Sequence, residues 1–101
     1  MSAYAALAEP HRRLIMDRLR DGERSVTELV EWLRISQPGV SKHLGVLRRA
    51  GLVTSRSLGR QRFYALTPAP LAEVDAWLEP YRAYWNRQLD ALERHLEENP
   101  E

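Results

Sequence analysis

Apolar residues recur at helical spacing along most of this chain, and alternate in one stretch only. Met1 to Ala8 is Ala-rich and predicts a short helix. Pro10 suits the first turn of a second helix, where a missing N–H is harmless. Leu14, Ile15, Leu19 and the stem of Arg18 are expected to cover one side of it, and Asp21 and Gly22 to stop it. Ser25 and Glu28 have the spacing of a capping box, in which each side chain bonds the other's backbone N–H. Val26, Leu29, Val30 and Leu33 follow on one face of a third, short helix ending near Arg34. Only Arg34 and Ile35 separate it from the next N-cap, Ser36. Val40, Leu44 and Leu47 then mark one side of a fourth helix, and Gly51 stands at its C′ position. Two short amphipathic helices joined so tightly predict a helix-turn-helix unit.

The alternating stretch comes next. Leu52 to Ser57 and Gln61 to Leu66 read as two strands around a Leu58, Gly59, Arg60 turn, with Tyr64 and Leu66 sharing the core side. Pro68 and Pro70 end the hairpin. A long helical pattern follows through Leu71, Val74, Leu78, Tyr81, Trp85, Leu89, Leu92 and Leu96, and Pro80 is expected to kink or split it near Leu78. The whole is a mainly α fold with a β-hairpin, in one domain over residues 1–101.

Charge sharpens this picture. The net charge is +1, but residues 1–66 hold twelve Lys and Arg against six Asp and Glu, whereas residues 67–101 hold three against eight. Between Glu31 and Glu73 there is no acid, while Arg34, Lys42, Arg48, Arg49, Arg56, Arg60 and Arg62 all fall there. A block of one sign suits a polyanion. There is no Cys, which removes disulfides, thiolate metal sites and Cys nucleophiles. The first twenty residues lack a signal-peptide pattern, and no run approaches the ~20 apolar residues of a membrane span. A soluble cytoplasmic protein is expected, associated with the nucleoid and not with membrane.

The helix from Gln37 to Ala50 carries the chemistry. With Val40 central to its buried face, Pro38, Ser41, Lys42, Gly45 and Arg49 point outward at about 100° per residue. An α-helix fits the major groove of B-DNA and reads base edges near its N-terminal half. Gln37, Ser41 and Lys42 are suited to base readout, and Lys42 to a phosphate as well. Arg48 and Arg49 are suited to phosphates or the helix's own last carbonyls, and His43, which borders the buried face, to a phosphate contact or to packing rather than to a metal. Gly45 keeps the strip low. Arg56, Arg60 and Arg62 surround the hairpin turn and place a basic tip beside the helix, fit for phosphates or a narrow minor groove. Trp77, Tyr81, Tyr84 and Trp85 are large surfaces for so small a chain; burial against a second copy accounts for them, and an aromatic pocket for an apolar effector is the alternative.

These residues carry a resemblance. LAEPHRRLIMDRLRDGERSVTELVEWLRISQPGVSKHLGVLRRAGLV followed by GRQRFYAL, over about residues 6–66, resembles the ArsR/SmtB-type winged-helix repressors of bacteria and archaea. The resemblance implies a winged helix-turn-helix fold with its DNA-binding core at about 10–66. It also implies a homodimer held by helices in 1–9 and 68–97, through Leu7, Trp77, Leu78, Tyr81, Trp85, Leu89 and Leu92. Gly39 departs from the pattern, which usually has a side chain there, and removes one contact at the helix start. Some members sense metals, but the pattern's Cys is missing from VTELVEWL, and Arg82 and Tyr84 stand where an Asp and a His are needed. His95 and Glu98 alone retain metal-ligand spacing, so no metal site and no cofactor are expected, and His11 has no evident partner. No nucleophile–base pair or phosphate-binding Gly loop suggests an enzyme. The expected function is therefore a sequence-specific double-stranded DNA-binding regulator, a homodimeric repressor on an inverted repeat. The alternative is an interaction module or anti-repressor whose basic face meets an acidic protein.

Overall fold

The computed structural model describes residues 2–98. Among these residues five helices and three strands run in the order α1 (Ala3–Leu7), α2 (Pro10–Leu19), β1 (Arg24–Ser25), α3 (Val26–Leu33), α4 (Gln37–Arg49), β2 (Val53–Leu58), β3 (Gln61–Leu66) and α5 (Leu71–Glu98). Local chemistry explains most boundaries. Ser2, Glu9, Ser25 and Ser36 each cap the helix that follows, accepting from an N–H three residues on. The Ser25–Glu28 box is complete, with both bonds at 3.1 Å. The α3–α4 turn closes on Arg34, which adopts the left-handed conformation at φ 59°. That geometry is unfavourable for a side chain and rare outside Gly and Asn. It reverses the chain in the two residues that precede Ser36.

The core lies where α2, α3, α4 and the sheet meet. Ile15, Leu29, Val40, Leu44, Leu47 and Leu52 are its largest fully buried side chains, and Ala3, Ala6, Met16, Leu19, Val46, Val53 and Tyr64 complete it. Leu14, expected on the buried side of the second helix, is instead exposed, and Met16 takes that role. Ile15, Met16 and Leu19 form the inward stripe, and Leu14 lies beyond its edge.

The sheet order is β1-β3-β2, antiparallel throughout. β2 and β3 are the expected hairpin, paired from Val53 with Leu66 to Leu58 with Gln61. Gly59 and Arg60 connect them; Gly59 sits at φ 63°, which suits a tight two-residue turn with Gly first. β1 was not expected. Two residues are too short to show a period, yet Arg24 pairs with Tyr64 and Ser25 with Phe63.

α5 is one uninterrupted helix through Pro80, so the expected split does not occur. Pro80 withholds one N–H from the Ala76 carbonyl, but it is exposed, and water can take that acceptor. Among its described residues α5 has none buried, and Arg82 is the last that is even half-buried. The helix runs out of the body and draws the molecule to 63 × 28 × 20 Å. Tyr4 and Trp77 meet edge-on at 6.1 Å, joining α1 to the start of α5.

Candidate nucleic-acid interface

α4 is two-sided. Val40, Leu44 and Leu47 have 0% exposure, and Gln37, Ser41, Lys42, Arg48 and Arg49 are all exposed. The Ser36 hydroxyl accepts from the Gly39 N–H at 3.1 Å, so the first turn of α4 is fixed by its own cap. A Cβ at Gly39 would stand 3.2 Å from that hydroxyl, which is tight, so the glycine leaves the cap undisturbed. Gly45 lies under the Arg49 guanidinium, 3.5 Å from where a Cβ would be. The outward strip thus offers an amide, a hydroxyl, an ammonium and two guanidinium groups over a low surface.

On the hairpin Arg60 and Arg62 are exposed, at the turn and one step down β3. Arg56 is also exposed, but it is committed. Its Nε and Nη2 donate to the two carboxylate oxygens of Glu23 at 2.8 and 2.7 Å, and its guanidinium lies over the Phe63 ring at 5.6 Å. That fork holds the Glu23 carboxyl below its ordinary range. The stretch that is acid-free in sequence therefore has an acid at the base of its wing in space. Its 33-residue separation hid the pair from sequence reasoning.

Two further arginines of the basic half are also engaged. Arg12 donates to the Ala6 and Ala5 carbonyls at 2.6 and 3.2 Å, and Arg13 to the Leu7 carbonyl at 2.7 Å. They satisfy the C-terminal carbonyls of α1 and complement its dipole.

His43, for which a phosphate contact and packing were both open, is turned inward, with its side chain 17% exposed, so it packs and does not face phosphates. Its Nδ1 is buried, has no hydrogen-bond partner among the described residues and stands 3.7 Å from Glu9 Oε2, too far for a hydrogen bond. Its ring lies 5.5 Å from that of His11, inclined by 23°. His11 Nδ1 is 3.0 Å from Glu9 Oε1, and Glu9 Oε2 accepts from the Arg12 N–H at 3.1 Å. Burial pushes the His43 imidazole below its ordinary pKa, against the pull of Glu9. Burial alone would raise the Glu9 carboxyl, but the bonds from His11 and the Arg12 N–H, with the attraction of the His43 and His11 rings, together hold the carboxyl low. One ligand atom from each of Glu9, His11 and His43 can be chosen so that all lie within 4.8 Å of one another. Sequence reasoning left His11 without a partner; Glu9 is local, two residues back in the chain, whereas His43 comes beside it only because α4 packs on α2.

The remaining expected residues lie on α1 and α5. Leu7 and Leu78 are half-buried, while Trp77, Tyr81, Trp85, Leu89 and Leu92 are exposed. Trp77 and Tyr81 touch at 4.9 Å. The aromatics form a row along the helix and do not line the cleft of about 280 Å³ bounded by Leu7, Arg13, Met16, Asp17, Arg20, Leu66 and Leu71.

Residues 9–55 match the family described as bacterial regulatory protein, arsR family. The chain is 42% identical over 87 residues to the HTH-type transcriptional regulator Rv2034 of Mycobacterium tuberculosis, covering 86% of this chain and 78% of that protein. It is 45% identical over 69 residues to the HTH-type transcriptional repressor SmtB of Mycobacterium tuberculosis, covering 68% of this chain and 51%, about half, of that one. Among solved structures, an ArsR-like transcriptional regulator from Rhodococcus sp. RHA1 superposes with a TM-score of 0.67 at 33% identity, over 90% of this chain and 86% of that one.

Proposed function

The chain belongs to the arsR family of bacterial regulatory proteins, and from that premise we propose that it is a homodimeric repressor acting on an inverted-repeat operator. As a winged helix-turn-helix regulator it binds DNA and is no enzyme. In the proposed complex two copies of α4 enter successive major grooves about 34–36 Å apart. Gln37, Ser41 and Lys42 read base edges; Lys42, Arg48, Arg49, Arg60 and Arg62 meet phosphates. α1 and α5 join the two copies through Leu7, Trp77, Leu78, Tyr81, Trp85, Leu89 and Leu92. The place of action is the cytoplasm, on chromosomal DNA.

The observation that carries this reading is the division of α4. Val40, Leu44 and Leu47 are fully withdrawn, and every exposed charge on the helix is positive. A carboxylate on the outer strip would face a dense row of phosphates and repel it. The same division argues against an acidic protein as the target, because an amide and a hydroxyl at the helix start match the donors and acceptors of base edges.

Selection of bound duplexes from a random pool tests the proposal. An inverted repeat should be enriched, and Gln37→Ala and Ser41→Ala should each lower the preference for it over random DNA, by roughly 1–3 kcal/mol where a full base contact is lost. Enrichment of no sequence, or an equal loss on both DNAs, removes base readout from these residues.

A further inference from the structure

We propose that Glu9, His11 and His43 bind one divalent transition-metal ion of the zinc type, through two imidazole nitrogens and a carboxylate, with the fourth position open. The set joins the first turn of α2 to the middle of α4. It uses neither the helix VTELVEWL nor His95 and Glu98.

The geometry is close to what such an ion requires. Ligand atoms at about 2.1 Å around a tetrahedral centre lie about 3.4 Å apart. Glu9 Oε1 is 3.0 Å from His11 Nδ1 and Glu9 Oε2 is 3.7 Å from His43 Nδ1, so each imidazole faces its own carboxylate oxygen, and one ligand atom from each residue can be chosen with all three within 4.8 Å of one another. The carboxylate is already aimed, because the Arg12 N–H holds one oxygen. His43 supplies the strongest argument: its Nδ1 is a buried nitrogen with no hydrogen-bond partner, turned toward a carboxylate it does not reach. Buried polar atoms are rarely left so, and an ion would satisfy this one. Two imidazoles and one carboxylate match zinc, cobalt or nickel, whereas magnesium and calcium prefer oxygen donors alone. The side chains of Glu9 and His11 are 32% and 44% exposed, which leaves a path in and an open coordination position. Arg12 and Lys42 oppose a dication electrostatically, but Arg12 is bound to carbonyls of α1 and Lys42 is exposed to solvent.

At about 100° per residue, His43 and Ser41 point nearly opposite ways from α4. The ion would therefore sit behind the outward strip and tie α4 to α2 without covering Ser41.

The test is titration of the full chain with cobalt(II), followed by its d–d absorption and by displacement with zinc(II). One equivalent per chain should bind and be displaced. His11→Gln, at an exposed position, should keep the helical circular dichroism and weaken cobalt binding at least about 10-fold. Glu9→Gln, whose amide oxygen can still cap α2, should do the same. His95→Gln should change nothing. No cobalt spectrum and no zinc heat from the unaltered chain, unchanged binding by His11→Gln, or loss through His95→Gln would each overturn the proposal. None of these readouts uses DNA, so the proposal stands or falls separately from the repressor function.

Discussion

Arg60 and Arg62 stand exposed at the tip and on the outer edge of the wing, whereas Arg56, a few residues away, is forked onto Glu23. A guanidinium that neutralises a phosphate releases a counterion and adds about 0.9 to the salt slope; one already neutralised by a carboxylate adds less. Arg60→Ala and Arg62→Ala together should therefore flatten the slope of log K against log salt by about 1.8 per bound subunit, on every DNA sequence. Arg56→Ala should flatten it by less than either single change. Gel-shift titrations over salt measure this, and an Arg56 effect equal to that of Arg60 would show that the Glu23 pair opens on DNA. Residue roles of this kind were the least legible part of the sequence. Twelve basic residues in the first 66 give a sign, but a long side chain chooses its partner in space. Arg12 and Arg13 go to carbonyls of α1, Arg56 to an acid remote in the chain, and His43 to Glu9 and His11. By contrast Ser41 and Lys42 stand exposed where helical phase puts them, and Gln37 is exposed at the N-terminal end of the helix.

Elements were more legible, since caps and periods are local. The capping box at Ser25 and Glu28 starts α3 where the sequence puts it, and Ser36 starts α4. What escaped was non-local or dependent on solvent: the two-residue β1 exists only because β3 passes beside it, and Pro80 leaves α5 unbroken because its orphaned carbonyl can meet water. The box also sets a pH dependence. Glu28 is held below the usual 4.5, chiefly by the N–H of Ser25 donating to its carboxylate. Where the folded value lies below the unfolded one, the unfolded chain binds more protons in the interval between them. The stabilisation is thus fully present above about pH 4.5 and is lost as pH falls through the lowered value. Glu28→Gln should flatten the acid side of the stability profile and leave a smaller slope from Glu9 and Glu23, whose carboxyls are lowered too. Ser25→Ala, which removes a buried cap, should cost about 1 kcal/mol near neutral pH. Urea unfolding at a series of pH values reads both; an acid limb unchanged by Glu28→Gln would remove the box as a source of that dependence.

At the scale of the whole molecule the shape itself asks for a partner. A compact chain of about 100 residues has a radius of gyration near 13 Å, and this one has 18.6 Å. The excess is α5, which beyond Arg82 touches little of its own chain yet carries Trp85, Leu89, Leu92 and Leu96 exposed at helical spacing. A lone helix of that length with an apolar stripe gains little from propensity and much from packing. Burying each leucine contributes roughly 1.5–3 kcal/mol, and in a two-fold dimer every such contact occurs twice. Leu89→Glu with Leu92→Glu should therefore shift the protein to monomer in sedimentation and lower its helical circular dichroism. The near-ultraviolet signal of Tyr64 in the core should persist, because the core of α2, α3, α4 and the sheet does not include these leucines. Such a monomer keeps its strip of Gln37, Ser41 and Lys42 but presents only one copy of it. It should still bind random DNA weakly, while losing its advantage on an inverted repeat, where the second half-site would have to be bound separately. A double variant that stays dimeric would place the interface elsewhere than the outer half of α5. One that turns monomeric yet keeps full operator affinity would detach DNA reading from dimerisation, and the inverted-repeat reading would have to be given up.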